Sequence, residues 1–456
     1  MNKLEGNIQK LITIKKIGIN GEGIGYYKRK AVFIDGALPD EEVICEFTKE
    51  HRNYLEGKTV KIRKRSIHRV DAPCPYFGRC GGCQLQHLEY KEQLKVKKDI
   101  VLQALERYLT NYQKINIDIK DTIGMDNSYN YRNKAQMPVA FDGEKIVTGL
   151  YEAKSNKLIH IDKCIIQDEL INHVLYIVKQ LLMKYHVMVY NRRYKSGELR
   201  YISVRYLETT KECQVVLVLK EKYLNNMSKI AVELMNKVPE VVSFYVNINP
   251  DISSHEIYGK EFIHIRGNET IKAKIGDIKF IISPQSFFQL NTEQTRVLYD
   301  IIKDTAELKK TDKIIDAYCG AGTIALYLAN YVNEVRGVDI AEQAIEDAKN
   351  NAKLNNIQNA YFETGNSEVV ILNWFDKGYK SDVLIMDPPR TGIDDKLLSV
   401  LRNIKVKKVI YVSCNPSTLA KDLNELRKVY HIKSIQPFDM FPQTSHVESV
   451  VLLVRK

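Results

Sequence analysis

Two short runs constrain the last third of this chain more than any other feature. Ile385-Met386-Asp387-Pro388-Pro389-Arg390 grows out of the apolar stretch Asp382-Val383-Leu384-Ile385. Val412-Ser413-Cys414-Asn415-Pro416 grows out of Val409-Ile410-Tyr411-Val412. A short apolar run that ends in polar residues and turn formers reads as a buried strand of an α/β sheet. In open α/β sheets, ligands bind beyond the carboxyl ends of the strands. One strand end thus carries a carboxylate and the next a thiol, and a thiol at such a place suggests a nucleophile.

The same pattern begins upstream. Ile314-Ile315-Asp316 ends a strand, and a helix passes through Ile324-Ala325-Leu326-Tyr327-Leu328-Ala329. Val335-Arg336-Gly337-Val338-Asp339 is a second strand, followed by an amphipathic helix from Ala341 to Leu354. This alternation predicts a Rossmann-like, doubly wound parallel sheet over residues 281–456.

The remainder divides in two. At 456 residues the chain is too long for one ordinary domain, and hydrophobic residues at 44% suffice for real cores. Residues 1–62 hold strand-like runs (Ile12-Thr13-Ile14, Ala31-Val32-Phe33-Ile34, Val43-Ile44-Cys45-Glu46-Phe47) separated by turn signals. They predict a small β-barrel, of the OB type or another. Residues 63–280 read as an α+β region. It contains a helix from Lys91 to Tyr108, close to 91–108, that is expected to pack on the catalytic domain.

The net charge of +12 favours an anionic partner, nucleic acid before a membrane surface. From Lys58 to Arg69 the chain carries Lys58, Lys61, Arg63, Lys64, Arg65 and Arg69 with no acid between them, either an RNA-binding face or a solvated basic one. No apolar run approaches a membrane span, and the first residues lack the apolar core of a signal peptide. A cytoplasmic protein with reduced cysteines is expected.

Asp316-Ala317-Tyr318-Cys319-Gly320-Ala321-Gly322-Thr323 joins a strand to a helix. Gly320 and Gly322 permit a tight turn and close approach of a ligand to the backbone, although many βα turns use glycine for structure alone. Asp339 ends the next strand, where an acid can bind the ribose hydroxyls of a nucleotide. Ala325 stands where a third glycine of the dinucleotide fingerprint would be. That tilts the reading from NAD to a ligand with one nucleoside, and S-adenosylmethionine fits, with Asp387 facing its methionine or adenine part.

A methyl donor beside a thiol has a chemical rationale. Pyrimidine C5 is a poor nucleophile. A thiolate adding to C6 produces an enolate-like ring whose C5 attacks a methyl group. A base must then remove the C5 proton so that the thiol can leave. Cys414 suits the first role. In Pro442-Gln443-Thr444-Ser445-His446-Val447-Glu448-Ser449, either His446 or Glu448 suits the second.

These runs, with Phe287-Phe288-Gln289-Leu290-Asn291, resemble those of the RNA uracil-C5 methyltransferases, which make 5-methyluridine. The N-terminal barrel resembles the TRAM domain of the 23S ribosomal RNA branch, and the likeness spans essentially the whole chain. The resemblance implies Cys414 as nucleophile and Glu448 as base. It also implies S-adenosylmethionine contacts at Gln289, Tyr318, Asp339 and Asp387, alongside Gly320 and Gly322. Many members carry Glu at the position of Asp339, and Tyr318 replaces a common Phe.

Cys74-Pro75-Tyr76-Phe77-Gly78-Arg79-Cys80-Gly81-Gly82-Cys83 places three thiols within ten residues, with Cys164 as the expected fourth. Spacing alone does not separate zinc from a [4Fe–4S] cluster, and a redox Cys-x-x-Cys is a third option. The resemblance, which includes Gln86-His87, implies a [4Fe–4S] cluster held by Cys74, Cys80, Cys83 and Cys164, without an electron-transfer role. Tyr131-Arg132-Asn133-Lys134 is a candidate RNA contact centred on Arg132, or an ordinary polar turn. The expected substrate is a flipped uridine in a single-stranded loop of 23S rRNA. The same chemistry on transfer RNA, or RNA binding by a non-catalytic iron–sulfur protein, is the alternative.

Overall fold

The computed structural model describes residues 9–152, 155, 157–191, 193–222, 225–252 and 256–456. The N-terminal strands are β1 (Gln9–Thr13), β2 (Lys16–Ile17), β3 (Gly23–Tyr27), β4 (Lys30–Asp35), β5 (Glu42–Glu50) and β6 (Tyr54–Lys64). Helix α1 (Tyr90–Tyr108) and β7 (Asp118–Ile119) follow. The central segment contains β8 (Lys134–Phe141), β9 (Ile146–Tyr151), β10 (Leu158–His160), α2 (Glu169–Lys184), β11 (Leu199–Leu207) and β12 (Glu212–Leu219). It continues through α3 (Met227–Lys237), β13 (Val241–Ile248), β14 (Glu261–Gly267), β15 (Ile271–Ile275) and β16 (Ile278–Ile282). Then come α4 (Thr292–Ala306), β17 (Lys313–Ala317), α5 (Thr323–Ala329), β18 (Glu334–Asp339), α6 (Glu342–Leu354), β19 (Ala360–Thr364), α7 (Ser367–Asp376) and β20 (Val383–Met386). The last elements are α8 (Asp395–Asn403), β21 (Lys408–Ser413), α9 (Pro416–Leu426), β22 (Tyr430–Phe438) and β23 (Glu448–Arg455).

By packing, the chain forms two compact units. One comprises Met1–Ser128, Pro388–Arg402 and Tyr411–Lys456; the other comprises Tyr129–Asp387 and Asn403–Ile410.

In the first unit, the N-terminal strands form a six-stranded sheet in the order β1-β5-β6-β4-β3-β2. β4 and β6 run parallel, whereas β5 pairs antiparallel with both β1 and β6. Alternation along the strands sends Ile12, Val32, Ile34, Val43, Cys45, Phe47 and Leu55 into one core. Cys45 is thereby a packing residue. Glu41 has no solvent exposure and accepts a two-pronged bond from Arg69, at 2.6 and 2.8 Å, which ties the chain leaving the sheet back onto it. Helix α1 packs on α9 and β22. β22 and β23 form an antiparallel pair in which Phe438 faces Glu448, and β7 adds parallel to β22.

In the second unit, a seven-stranded sheet runs β10-β9-β8-β11-β12-β13-β14. Helices α2 and α3 pack together and against it. Asp168 starts α2 by accepting from the Leu170 N–H at 2.7 Å. The unit also holds a parallel strand array β19-β18-β17-β20. All four residues of β20 are buried, as a strand covered on both faces requires. The β15–β16 hairpin is fastened to α6 by Asn351, whose side-chain oxygen accepts from the Ile281 N–H at 2.8 Å. Among the described residues, no helix is long and apolar enough to cross a membrane.

Candidate active site

The second unit carries the residues expected to hold the cofactor. β17 runs out at Ala317, and the chain turns through Tyr318, Gly320 and Gly322, all with positive φ, before α5 begins. Tyr318 is held in this strained conformation because its N–H and that of Cys319 both donate to the Val338 carbonyl at 3.0 Å. A Cβ on Gly320 would meet open space, whereas one on Gly322 would press on Phe362 and Ala348 at 3.0 and 3.1 Å. The first glycine therefore borders a vacancy and the second a packed wall. Asp339 ends β18 with each carboxylate oxygen fixed by a backbone N–H, from Gly320 and Ala341, both at 2.9 Å. The shorter acid is thus pre-oriented, with lone pairs left to accept from hydroxyls.

Two further acids serve the same strand ends. Asp316 is fully buried; one oxygen accepts from the Ala325 N–H at 3.1 Å and the other has no partner. Burial and the nearby Asp387 push it well above the usual carboxylate range. Burial alone pushes Asp387 up to about 7. An acid poised near neutrality at a strand end is characteristic of ligand sites.

Gln289 sits in the loop before α4. Asn133, 6% exposed, donates from its side-chain amide to the Gln289 carbonyl and to the Thr292 hydroxyl, each at 2.9 Å. The Asn133 N–H also donates to the Leu290 carbonyl, and Asn291 caps α4 by accepting from Gln294. One of the four residues of the run read as an RNA contact, Asn133, is therefore a buried pin for the Gln289 loop. Arg132 is half-buried, with its Nε bonded to the Lys134 carbonyl at 2.9 Å. Phe287, to which the sequence attached no separate role, is 76% exposed beside Gln289. Its signal was available: an aromatic two positions from a residue expected to contact the cofactor, with no apolar periodicity to bury it.

The first unit carries the thiol and the carboxylate. Cys414 directly follows β21 and precedes Asn415, the N-cap of α9, whose side chain accepts from the Ser417 N–H at 3.1 Å. Pro416 occupies the first helical position, where its missing N–H costs nothing. Negative charge is favoured beside the unpaired N–H groups of a helix start. Asn415 Nδ2 and the Thr418 hydroxyl both donate to the Arg390 carbonyl, at 3.0 and 3.3 Å, so the Pro-Pro-Arg run and the Cys run form one framework. Asp422 reinforces it by accepting from Ile393 N–H and Tyr411 OH. Glu448 is the first residue of β23 and is 9% exposed, whereas His446 is exposed.

Lys61, Arg63 and Lys64 on the outer end of β6, and Arg65 just beyond it, are all exposed, with Arg65 paired to Asp71 at 3.1 Å. They form a basic ridge on the N-terminal sheet.

The cysteine run departs from expectation. Among the described residues, no group of three or more His, Cys, Asp or Glu is placed to hold a metal ion. Cys74, Cys80 and Cys83 lie half-buried in the first unit, and Cys164 belongs to the second. Within the segment, Phe77 N–H donates to the Cys74 carbonyl, and Arg79 and Cys80 N–H both donate to that of Tyr76. The Gly82 N–H does donate to Cys80 Sγ at 3.4 Å, a contact that suits a thiolate. Among the described residues, the structure shows no ligand group for the expected [4Fe–4S] cluster.

Comparison with known proteins bears on this geometry. Residues 89–456 match the family model described as tRNA (Uracil-5-)-methyltransferase, and residues 5–60 match that of the TRAM domain. An uncharacterized RNA methyltransferase of Bacillus cereus is 47% identical over 455 residues, covering 100% of this chain and 98% of that one. Another from Halalkalibacterium halodurans is 45% identical over 444 residues, covering 97% and 96%. Among solved structures, the Pyrococcus abyssi tRNA (uracil-54, C5)-methyltransferase in complex with S-adenosyl-L-homocysteine superposes with a TM-score of 0.75 at 28% identity, covering 98% of this chain and 100% of that one. With a family model matched over most of its length, the chain belongs to the tRNA (uracil-5-)-methyltransferase family, as an S-adenosylmethionine-dependent RNA uracil-5-methyltransferase with an N-terminal TRAM domain.

Proposed function

We propose that this enzyme methylates uracil C5 in 23S ribosomal RNA through a covalent adduct between Cys414 and C6. The observation that carries the mechanism is Cys414 itself, set between a strand end and a capped helix start and framed by the Arg390 carbonyl contacts. The Cys414 thiolate adds to C6. The C5 carbon then takes the methyl group of S-adenosylmethionine, with S-adenosylhomocysteine as leaving group. Glu448 removes the C5 proton; the C–H pair becomes the C5=C6 double bond, and the C6–S pair returns to Cys414. Buried Glu448 suits the base role better than exposed His446. Gly320 and Gly322 shape the cofactor turn, Asp339 takes the ribose hydroxyls, Tyr318 offers an aromatic surface, and Gln289 and Asp387 take the remaining polar groups.

The ribosomal assignment is supported by the TRAM domain, the exposed residues Lys61, Arg63, Lys64 and Arg65, and the cysteine run. Arg132 is assigned to the RNA backbone, the division near residues 62 and 280 to three functional regions, and the site of action to the cytoplasm. Transfer RNA is the second reading, favoured by the substrate named for the Pyrococcus abyssi relative. For the [4Fe–4S] cluster, the donor set of Cys74, Cys80, Cys83 and Cys164 speaks in favour; the mechanism routes no step through it.

The test is label transfer from radioactive S-adenosylmethionine to unmodified 23S rRNA and, separately, to unmodified tRNA, with nucleoside analysis. Label in 5-methyluridine from 23S rRNA is expected. Label only in tRNA overturns the substrate and keeps the chemistry; label in neither favours a binding protein. Cys414→Ala should abolish transfer while RNA affinity stays within a few fold, and Glu448→Gln should trap a denaturation-resistant RNA adduct.

A further inference from the structure

We infer that Lys97 is a positioning residue for the loop that delivers Glu448, acting on C5 proton removal and not on RNA or cofactor binding. The inference rests on the reading of Glu448 as the base. Tyr90, Gln93 and Lys97 recur at helical spacing on one face of α1, and all three engage the loop between β22 and β23. Lys97 and Asp439 have no solvent exposure; the ammonium bonds the Asp439 carboxylate and, at 3.1 Å, the Phe441 carbonyl. The Tyr90 hydroxyl donates to the other Asp439 oxygen at 3.0 Å and itself accepts from the Met125 N–H at 2.9 Å.

Gln93 donates from its side-chain amide to Gln443 Oε1 at 3.0 Å, the Gln443 backbone N–H donates to Gln93 Oε1 at 3.2 Å, and Gln443 is held at φ 71. The Gln443 carbonyl accepts from the N–H groups of Gln84 and Leu85, beside Cys83. The Ser445 hydroxyl donates to the Ile19 carbonyl in the turn between β2 and β3.

A buried ion pair is a poor way to gain stability, because apolar residues of similar volume usually serve as well or better. Its place here is informative. Asp439 follows Phe438, the cross-strand partner of Glu448, so the pair anchors the point from which the Glu448 strand returns. Burial pulls Lys97 below the usual lysine range, while Asp439 first, then Glu448 and Cys83, favour its charged form. Lys97 thus lies within electrostatic reach of the carboxylate it is inferred to position.

The experiment uses full-length Lys97→Met and Tyr90→Phe enzymes in single-turnover reactions with substrate RNA, scoring KM, methyl transfer into RNA, released 5-methyluridine and covalent adduct. For Lys97→Met we expect KM within about twofold, and release of product slowed by roughly 10- to 100-fold with adduct accumulating, the scale of a misplaced catalytic group. Tyr90→Phe, which removes one hydroxyl and preserves the fold if Lys97→Met does not, should shift the same ratio by a few fold. Wild-type release with no adduct in folded Lys97→Met, equal losses in methyl transfer and release, or an unmoved ratio in Tyr90→Phe would overturn the inference. Glu448→Gln run in parallel separates the two readings: no adduct there, with accumulation in Lys97→Met, would remove Glu448 as base and leave Lys97 acting through another group.

Discussion

Alanine at Gly320 and at Gly322 should separate stability from cofactor affinity. Both glycines have positive φ, 52 and 76 degrees, and an L-residue there costs about 1–2 kcal/mol. At Gly320 that is the whole structural cost, since a Cβ meets nothing within 4 Å. At Gly322 the Cβ would lie 3.0 Å from the Phe362 ring and 3.1 Å from the Ala348 methyl, and overpacking of this kind adds about 1–3 kcal/mol. Gly322→Ala should therefore lose about 2–5 kcal/mol, and Gly320→Ala about 1–2 kcal/mol. The space over Gly320 is where the cofactor is expected to lie. A methyl group there should weaken S-adenosylhomocysteine by tenfold or more, which is about 1.4 kcal/mol. Chemical denaturation of the apo protein reads the first quantity and titration calorimetry the second. Should Gly320→Ala bind the cofactor product normally, or be the less stable of the two, the glycine turn has been read wrongly.

Other consequences are smaller in scope. Burial pushes Asp387 up to about 7, against ~3.9 in an unfolded chain, so between these values the folded state keeps a proton that the unfolded state has released. Its contribution to apo stability should fall as pH rises through that window, and Asp387→Asn should flatten that slope in denaturation series from pH 4 to 8. Phe287→Ala removes an exposed ring, so stability should stay within about 0.5 kcal/mol while turnover on RNA drops; an unchanged turnover rate would deny the ring a substrate role. Replacing Lys61, Arg63 and Lys64 by Gln should weaken RNA binding and flatten its salt dependence by up to ~0.7 per charge, measured by filter binding from 50 to 200 mM salt. Protein purified without oxygen and analysed for iron and sulfide should carry about four of each if the four cysteines hold a [4Fe–4S] cluster, and none if they do not.

Local signals made these strands readable in advance. Apolar runs bounded by Gly, Asp and Pro coincide with β17, β18, β20 and β21, because buried parallel strands need little beyond such runs. The roles of Asn133 and Lys97 were hidden for a common reason: their partners lie far along the chain. Asn133 reaches a carbonyl 156 positions away, so its polar run looked like a surface turn. Lys97 stands among Lys91, Lys95 and Lys98 with nothing local to single it out. Yet the Lys95 side chain is 73% exposed and that of Lys97 fully covered, by a partner 342 positions later. The cysteine run is different, since its spacing suggested a ligand group and, among the described residues, no group placed to hold a metal is found.

The union of α1 with the loop after β22 also imposes a schedule on synthesis. A ribosome adds about 5–20 residues per second, so the 342 positions between Lys97 and Asp439 amount to roughly 20 to 70 s. Throughout that interval the helix face bearing Tyr90, Gln93 and Lys97 has been made and its counterpart has not. The first unit, assembled from both extremities of the chain, is completed last, while the 129–387 stretch can fold in between. A nascent chain stalled before residue 439 would then hold the glycine turn and the N-terminal sheet without the loop that leads to Glu448.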